Sequence, residues 1–171
     1  AQPCVLWQPA RMLLGDVVAM GAHKYGQRAA LVFNDEEISF TSLHGRTKRL
    51  ANALLGLAAP GDRVAILSQN RPEFVDAYFG VPMAGMALTF LNYRLAPREL
   101  SRIIADAEAS VLLVEDAYVE SIASIRDELD SVRTVVVIGA PDAGTGLADV
   151  HYDELLAAAA DTDPPVEVSE Q

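Results

Sequence analysis

The chain has 171 residues, 51% of them hydrophobic, with 24 acidic against 13 basic side chains and a formal charge of −11. That is the size of one ordinary domain with enough apolar surface for a core, and it excludes disordered and fibrous classes. Without a block of Lys and Arg, nucleic acid is excluded as a partner; a single nucleotide, which needs only backbone N–H groups and one or two cations, is not.

The one cysteine, Cys4, cannot form an internal disulfide, and no Cys/His cluster has zinc spacing, so no metal site is expected and a reducing cytoplasm is the natural compartment. The opening "AQPCVLWQPARMLLGD" lacks the basic start and continuous apolar stretch of a secretory signal. Ala77 to Tyr93 is uncharged for about 17 residues, but Gly80, Pro82, Gly85 and Asn92 break it into two buried elements and not a membrane span.

"AALVF" and "EISF" flank Asn34-Asp35-Glu36, so Ala29 to Phe40 reads as a hairpin. From Thr41 as N-cap, Leu43, Thr47, Leu50, Leu54 and Leu57 form one helical stripe. Pro60 to Asp62 is a turn and "RVAIL" a buried strand. Asn70 is expected to cap the next helix, with Pro72 in its first turn, Glu73 close to a capping box, and Phe74, Val75, Tyr78 and Phe79 facing inward. Pro82 should kink or end that helix near Tyr78 to Gly80.

"MALTFL" reads as a buried strand, and Leu100, Ile103, Ile104 and Ala107 as the apolar face of a helix that opens at Pro97. "SVLLVED" and "TVVVIG" are further buried strands around a helix from Tyr118 to Leu129. "GAPDAGTGLADV" is a loop, "YDELLAAAA" a short helix and "DTDPPVEVSEQ" an acidic linker. Alternating strands and helices of this kind predict an α/β fold: a doubly wound, mainly parallel sheet with helices on both faces. Residues 1–150 form the α/β unit, and 151–171 the short helix and linker.

Ligands of such sheets collect where strands end, which puts "NYRL" at Asn92 to Leu95 under scrutiny. Two readings stay open there. Asn92 and Arg94 face a ligand, or Asn92 merely tolerates a left-handed turn while Arg94 pairs with Glu73 or Asp76.

Local chemistry is sparse. There is no Walker-type phosphate loop, and Gly144-Thr-Gly146 lacks the third glycine of a dinucleotide fingerprint, so it reads as loop. His23, His44 and His151 suit helix surfaces or caps. Ser68 follows a strand without the glycines of a nucleophile elbow and reads as a cap. Asp106, Glu108, Glu115 and Asp116 read as solvated surface. No catalytic residue is identified.

Taken in order, "LLGDVVAMGAHKYGQRAALVF", "ISFTSLHGRTKRLANALL", "PGDRVAILSQNRPEFVDAYFG" and "MAGMALTFLNYRLAPRELSRIIADAEASVLLVED" resemble the N-terminal part of the adenylate-forming, AMP-binding superfamily, fatty-acyl-CoA synthetases in particular, from about Leu14 to Gly139. The resemblance implies the first subdomain of such an enzyme's N-terminal domain. It implies a parent that activates a fatty or other carboxylic acid with ATP and Mg2+ and passes the acyl-adenylate to CoA. Asn70, Glu73, Phe74, Gly85, Asn92 and Arg94 are carried over as landmarks near the cleft.

The Pro-Lys-Gly phosphate loop and the later adenine, ribose and catalytic-lysine motifs have no counterpart here. The 171-residue chain is therefore expected to be an inactive fragment that binds none of these cofactors. An exposed apolar face prone to self-association is expected, with membrane contact at most peripheral. Pro82-Met83 replaces a common Leu-Lys-like pair, which favours a medium- or long-chain acyl branch, and Tyr93 a common Pro. The alternatives are a free-standing non-catalytic binding module, or part of a fatty-acyl-AMP ligase or aryl-CoA ligase.

Overall fold

A computed structural model describes residues 13–140 and 142–166; residues 1–12, which hold Cys4 and most of the stretch weighed as a targeting signal, and the last five residues of the acidic linker lie outside the described residues. Helix α1 (Leu14–Tyr25) leads into the antiparallel hairpin β1 (Ala29–Phe33) and β2 (Glu36–Ser39), whose turn residues Asn34 and Asp35 both take positive φ. There follow α2 (Phe40–Leu55), β3 (Arg63–Leu67), α3 (Pro72–Met83), β4 (Ala87–Phe90), α4 (Pro97–Asp106), β5 (Val111–Glu115), α5 (Val119–Ala123), β6 (Thr134–Ile138), β7 (Val150–His151) and α6 (Tyr152–Ala158).

Strands β3 to β7 form one parallel sheet in the order β4-β3-β5-β6-β7. Strand side chains alternate between its faces. Val64, Ile66, Val111, Leu113, Val136 and Ile138 meet α2, α3 and α6 through Leu50, Ala77, Val81, Tyr152 and Leu156. Ala65, Leu67, Leu112, Val114, Val135 and Val137 meet α4 and α5 through Leu100, Ile104 and Ile122. Covering both faces is what requires the near-continuous apolar runs, and the predicted doubly wound α/β class is the observed one.

Several local expectations need correction. The cap of α2 is Ser39, whose Oγ accepts from Ser42 N–H at 3.1 Å, and not Thr41. Leu57 lies beyond the end of α2, although Leu43, Thr47, Leu50 and Leu54 are buried as the stripe predicts. The N-cap of α3 is Arg71, without a side-chain cap bond, while Asn70 is exposed.

The buried face of α3 is Asp76, Ala77, Gly80 and Val81; Phe74 and Phe79 are half-buried and Tyr78 is 42% exposed. Pro82 does not stop α3, because in the last turn it removes a single hydrogen bond and Ala84 N–H still reaches the Gly80 carbonyl at 3.1 Å. The helix expected over Tyr118 to Leu129 is α5 flanked by two 3-10 turns, Asp116–Tyr118 and Arg126–Glu128. The loop after Gly139 ends in β7, and β4 is an edge strand with both ends exposed, not a buried one.

Asp76 enters the core because its charge is met there. Arg46 of α2 donates to it through Nε, at 2.9 Å to Oδ2, and through Nη2, and the Tyr152 hydroxyl of α6 donates to Oδ2 at 3.0 Å. Burial pushes the Asp76 carboxyl upward, and the Arg46 and Tyr152 bonds offset part of that. One buried carboxylate thus joins three helices on the same face. Beyond α6 the chain is tied back to α2: Asn52 Nδ2 donates to the Ala160 and Thr162 carbonyls at 3.0 and 2.8 Å, and Lys48 and Arg49 face Asp163 and Asp161 at 3.8 and 3.5 Å. No helix among the described residues is long and apolar enough to cross a membrane.

Candidate functional site at the sheet edge

In an open α/β sheet the ligand crevice lies outside the C-terminal ends of strands whose connections leave in opposite directions. Here that point falls between β3 and β5, since α3 leads off β3 on one face toward β4 and α5 leads off β5 on the other toward β6. The register pairs Leu67 with Val114, so Ser68 comes beside Glu115. Ser68 Oγ and Gln69 N–H donate to Glu115 Oε2 at 2.9 and 2.7 Å. Arg71 Nη1 lies 3.5 Å from Glu115 Oε1, and its Nε donates to Glu73 Oε2 at 2.8 Å.

The Arg71, Glu73 and Glu115 side chains are 12 to 20% exposed, so solvent screens them only in part. Burial opposes the charge on Arg71, but the hydrogen bond to Glu73 and the Glu115 carboxylate outweigh it and hold its pKa above the ordinary value. The expectation that Ser68 caps a helix and that Glu115 is solvated surface is corrected here: Ser68 is buried against a buried Glu115, and together they fix the loop that follows β3. One strand further, Asp116 Oδ2 accepts from Ala140 N–H at 3.1 Å. Gly139 has φ +125°, and a Cβ there would run into that carboxylate.

A cleft of about 290 Å³ opens above this loop, lined by Phe33, Asn34, Gln69, Asn70, Arg71 and Glu115. The tip of the β1-β2 hairpin forms its far wall. A neighbouring apolar groove of about 210 Å³ runs between Leu31 and Val32 of the hairpin and Pro72, Phe74 and Val75 of α3.

Of the landmarks read from the sequence, Asn70, Glu73 and Phe74 come together at this edge, and the Phe74 ring stacks on Phe90 at the end of β4, with centroids 5.2 Å apart. Asn92 and Arg94 follow β4. Asn92 Oδ1 accepts from Arg94 N–H at 3.0 Å, so the side chain builds the turn, and Asn92 is not among the residues with positive φ. Glu73 and Asp76 are engaged by Arg71 and Arg46, whereas the Arg94 guanidinium lies 5.5 Å over the Tyr93 ring. Gly85 lies at the opposite end of β4, where φ is +72° and Pro60 and Val166 close in.

The model of the family described as AMP-binding enzyme matches residues 18–169. The chain belongs to the AMP-binding enzyme family. It is 34% identical over 158 residues to a long-chain-fatty-acid–CoA ligase of Thermus thermophilus, covering 85% of the chain and 28% of that protein. It is 32% identical over 139 residues to a 3-hydroxybenzoate/4-hydroxybenzoate–CoA ligase of Thauera aromatica, covering 81% and 26%. Its fold superposes on a solved anthranilate CoA ligase in complex with anthranoyl-AMP with a TM-score of 0.83 at 26% identity, covering 95% of the chain and 30% of that structure. The chain spans about a fifth to just over a quarter of the length of the curated relatives it matches.

The sheet edge of this chain does not by itself fit a nucleoside triphosphate or its metal. Arg71 is already engaged by two carboxylates, and no group of three or more His, Cys, Asp or Glu among the described residues could hold a metal ion. Ser68 Oγ donates to Glu115, a carboxylate that also accepts from Gln69 N–H and faces Arg71, so the bond ties the loop after β3 to the end of β5.

Proposed function

We propose that this chain is the first α/β subdomain of an enzyme that joins a carboxylic acid to CoA through an acyl-adenylate, using ATP and Mg2+. The observation that carries it is the continuous family match over residues 18–169, with relatives that are themselves CoA ligases. A fatty acid is the leading substrate class, resting on the relative aligned over 158 residues. An aromatic acid is the second reading, favoured by the hydroxybenzoate and anthranilate ligases.

In this reading the subdomain presents the Ser68 to Glu73 loop and the Phe74–Phe90 wall, and the triphosphate and metal are held by other parts of the enzyme. The 171-residue chain alone is inactive. The parent is cytoplasmic, at most peripheral to a membrane. The test is pyrophosphate release from ATP and Mg2+ by the 171-residue chain and by the whole gene product that contains it, against panels of aliphatic and aromatic acids. Release by the gene product only, dependent on acid and followed by CoA thioester formation, is the expected result. Release with neither panel overturns the proposal and leaves a non-catalytic binding module; release by the chain alone overturns its inactivity.

A further inference from the structure

The two cavities beside the Ser68 to Glu73 loop are halves of one depression, because Phe33, Asn70 and Arg71 line both. Together they reach the size of small-molecule sites, roughly 300 to 1,000 Å³. Their ends differ in chemistry. The end of about 210 Å³ runs between Leu31 and Val32 of the hairpin and Pro72 and Val75 of α3, and its open surface is mostly apolar. The end of about 290 Å³ holds three carboxamide residues, Asn34, Gln69 and Asn70.

Nothing in the fold fills the gap. The hairpin is tied to the rest of the chain at its base, where Phe40 N–H donates to the Arg28 carbonyl at 3.0 Å and Thr41 N–H to the Gly26 carbonyl at 3.1 Å. Among the described residues, no hydrogen bond or ion pair crosses from its tip to the loop after β3 or to α3. Val32 is left 66% exposed and Phe33 38%. Open apolar surface rimmed by polar residues is a mark of ligand grooves.

Charge selects the head group. Arg71 faces Glu73 at 2.8 Å and Glu115 at 3.5 Å, so the polar end carries two carboxylates to one guanidinium. A carboxylate or phosphate placed there would meet uncompensated negative charge, and an ammonium would share the cleft with Arg71. Carboxamides both donate and accept. They suit an uncharged group that does the same, while the apolar walls suit a chain. We infer that this depression binds a neutral amphiphile: a short alkyl chain laid between the hairpin and α3, ending in an uncharged amide or hydroxyl that hydrogen-bonds in the cleft. Such a ligand touches both walls and braces the hairpin against the sheet edge. The inference stands on the cavity and its charge and does not depend on the reaction proposed above.

The test is an NMR titration of the isotope-labelled 171-residue chain with hexanamide, hexanoate, hexylammonium and acetamide, which separate tail from head without forming micelles. Hexanamide is expected to shift the amides of Val32 and Phe33 on one wall and of Phe74 and Val75 on the other along one saturable curve. Hexanoate, the same chain with a charged head, binds at least about tenfold more weakly at neutral pH, because a like charge in a partly desolvated cleft is costly. In Glu73→Gln, which removes one of the two carboxylates, that gap narrows. Phe33→Ser, where the two cavities join, weakens hexanamide at least about tenfold. Should that variant disturb the hairpin, read from the Val32 and Glu36 amides without ligand, Val75→Thr decides: it keeps the side-chain shape, exchanges a methyl for a hydroxyl and weakens hexanamide about threefold. No saturable shift, shifts on one wall only, an equal effect of acetamide, or hexanoate or hexylammonium binding as tightly as hexanamide each overturns the proposal. So do shifts that grow with protein concentration before any ligand is added, which assign the groove to a second copy.

Discussion

Tyr152→Phe removes a single oxygen from the face where α2, α3 and α6 meet, and the structure sets the size of the effect. The hydroxyl is 3.0 Å from Asp76 Oδ2; Asp76 is 0% and Tyr152 1% exposed, so water cannot replace the lost donor. A hydrogen bond to a charged group contributes about 1.5 to 3 kcal/mol, and the ring itself keeps its packing. A loss near 2 kcal/mol follows, which in a chain of this size lowers Tm by about 4 to 8 °C. The direct assay is urea unfolding of the wild type, Tyr152→Phe, Asp76→Asn and the double variant. If the bond to an ionised carboxylate is what matters, the cost of losing the hydroxyl falls to about 1 kcal/mol in the Asp76→Asn background, and the cycle shows coupling of the same size. A Tyr152→Phe variant within about 0.5 kcal/mol of the wild type would refute the reasoning, because the buried carboxylate would then be satisfied by Arg46 alone.

Gly139→Ala places a side chain at φ +125° against Asp116 and is expected to cost about 1 to 3 kcal/mol in backbone strain, with a further loss from displacing that carboxylate. Asp116→Ala should relieve the second part only, so melting of the two single variants and the pair separates them. The Asp62 carboxylate accepts from Ala59 N–H at 3.1 Å and from Arg133 at 2.7 Å, and these bonds, the backbone one first, hold its pKa below the ordinary value. Because the folded-state pKa is the lower one, its contribution is present above the unfolded value, about 3.9, and is lost as pH falls through the folded value. Asp62→Asn should therefore flatten part of the decline in stability below about pH 5, measured as urea midpoints across that range; an unchanged acid limb would refute it.

What the sequence conveyed depended on how many residues carried each signal. The α2 stripe, with buried Leu43, Leu50 and Leu54, and the strands β3, β5 and β6 were legible because burial on one or both faces dictates long patterns. β7 has two residues and no period to read. The inward face of α3 was misread because small residues and an aspartate occupy it; Ala77 and Gly80 carry little hydrophobic signal, and Asp76 is buried only through partners 30 and 76 residues away. The site shows the same division. Asn70, Glu73 and Phe74 stand beside each other in sequence, while the role of Glu115 depends on a register with β3. Laying "RVAILS" against "VLLVE" by their apolar residues sets Ser68 opposite Glu115, a signal that local chemistry passes over.

The strand order also bears on how the chain reaches this state as it is synthesised. β3 forms the first strand of the parallel sheet, β4 joins one side of it, and β5, β6 and β7 add in turn on the other. No strand has to be inserted between two that are already paired. Each closes against an edge its predecessors have exposed, so assembly can keep pace with emergence from the N-terminus. The edge left open at each stage is also the one most exposed to wrong partners. For that reason misassembly is expected to begin at a sheet edge, before the helices that cover its faces have all arrived.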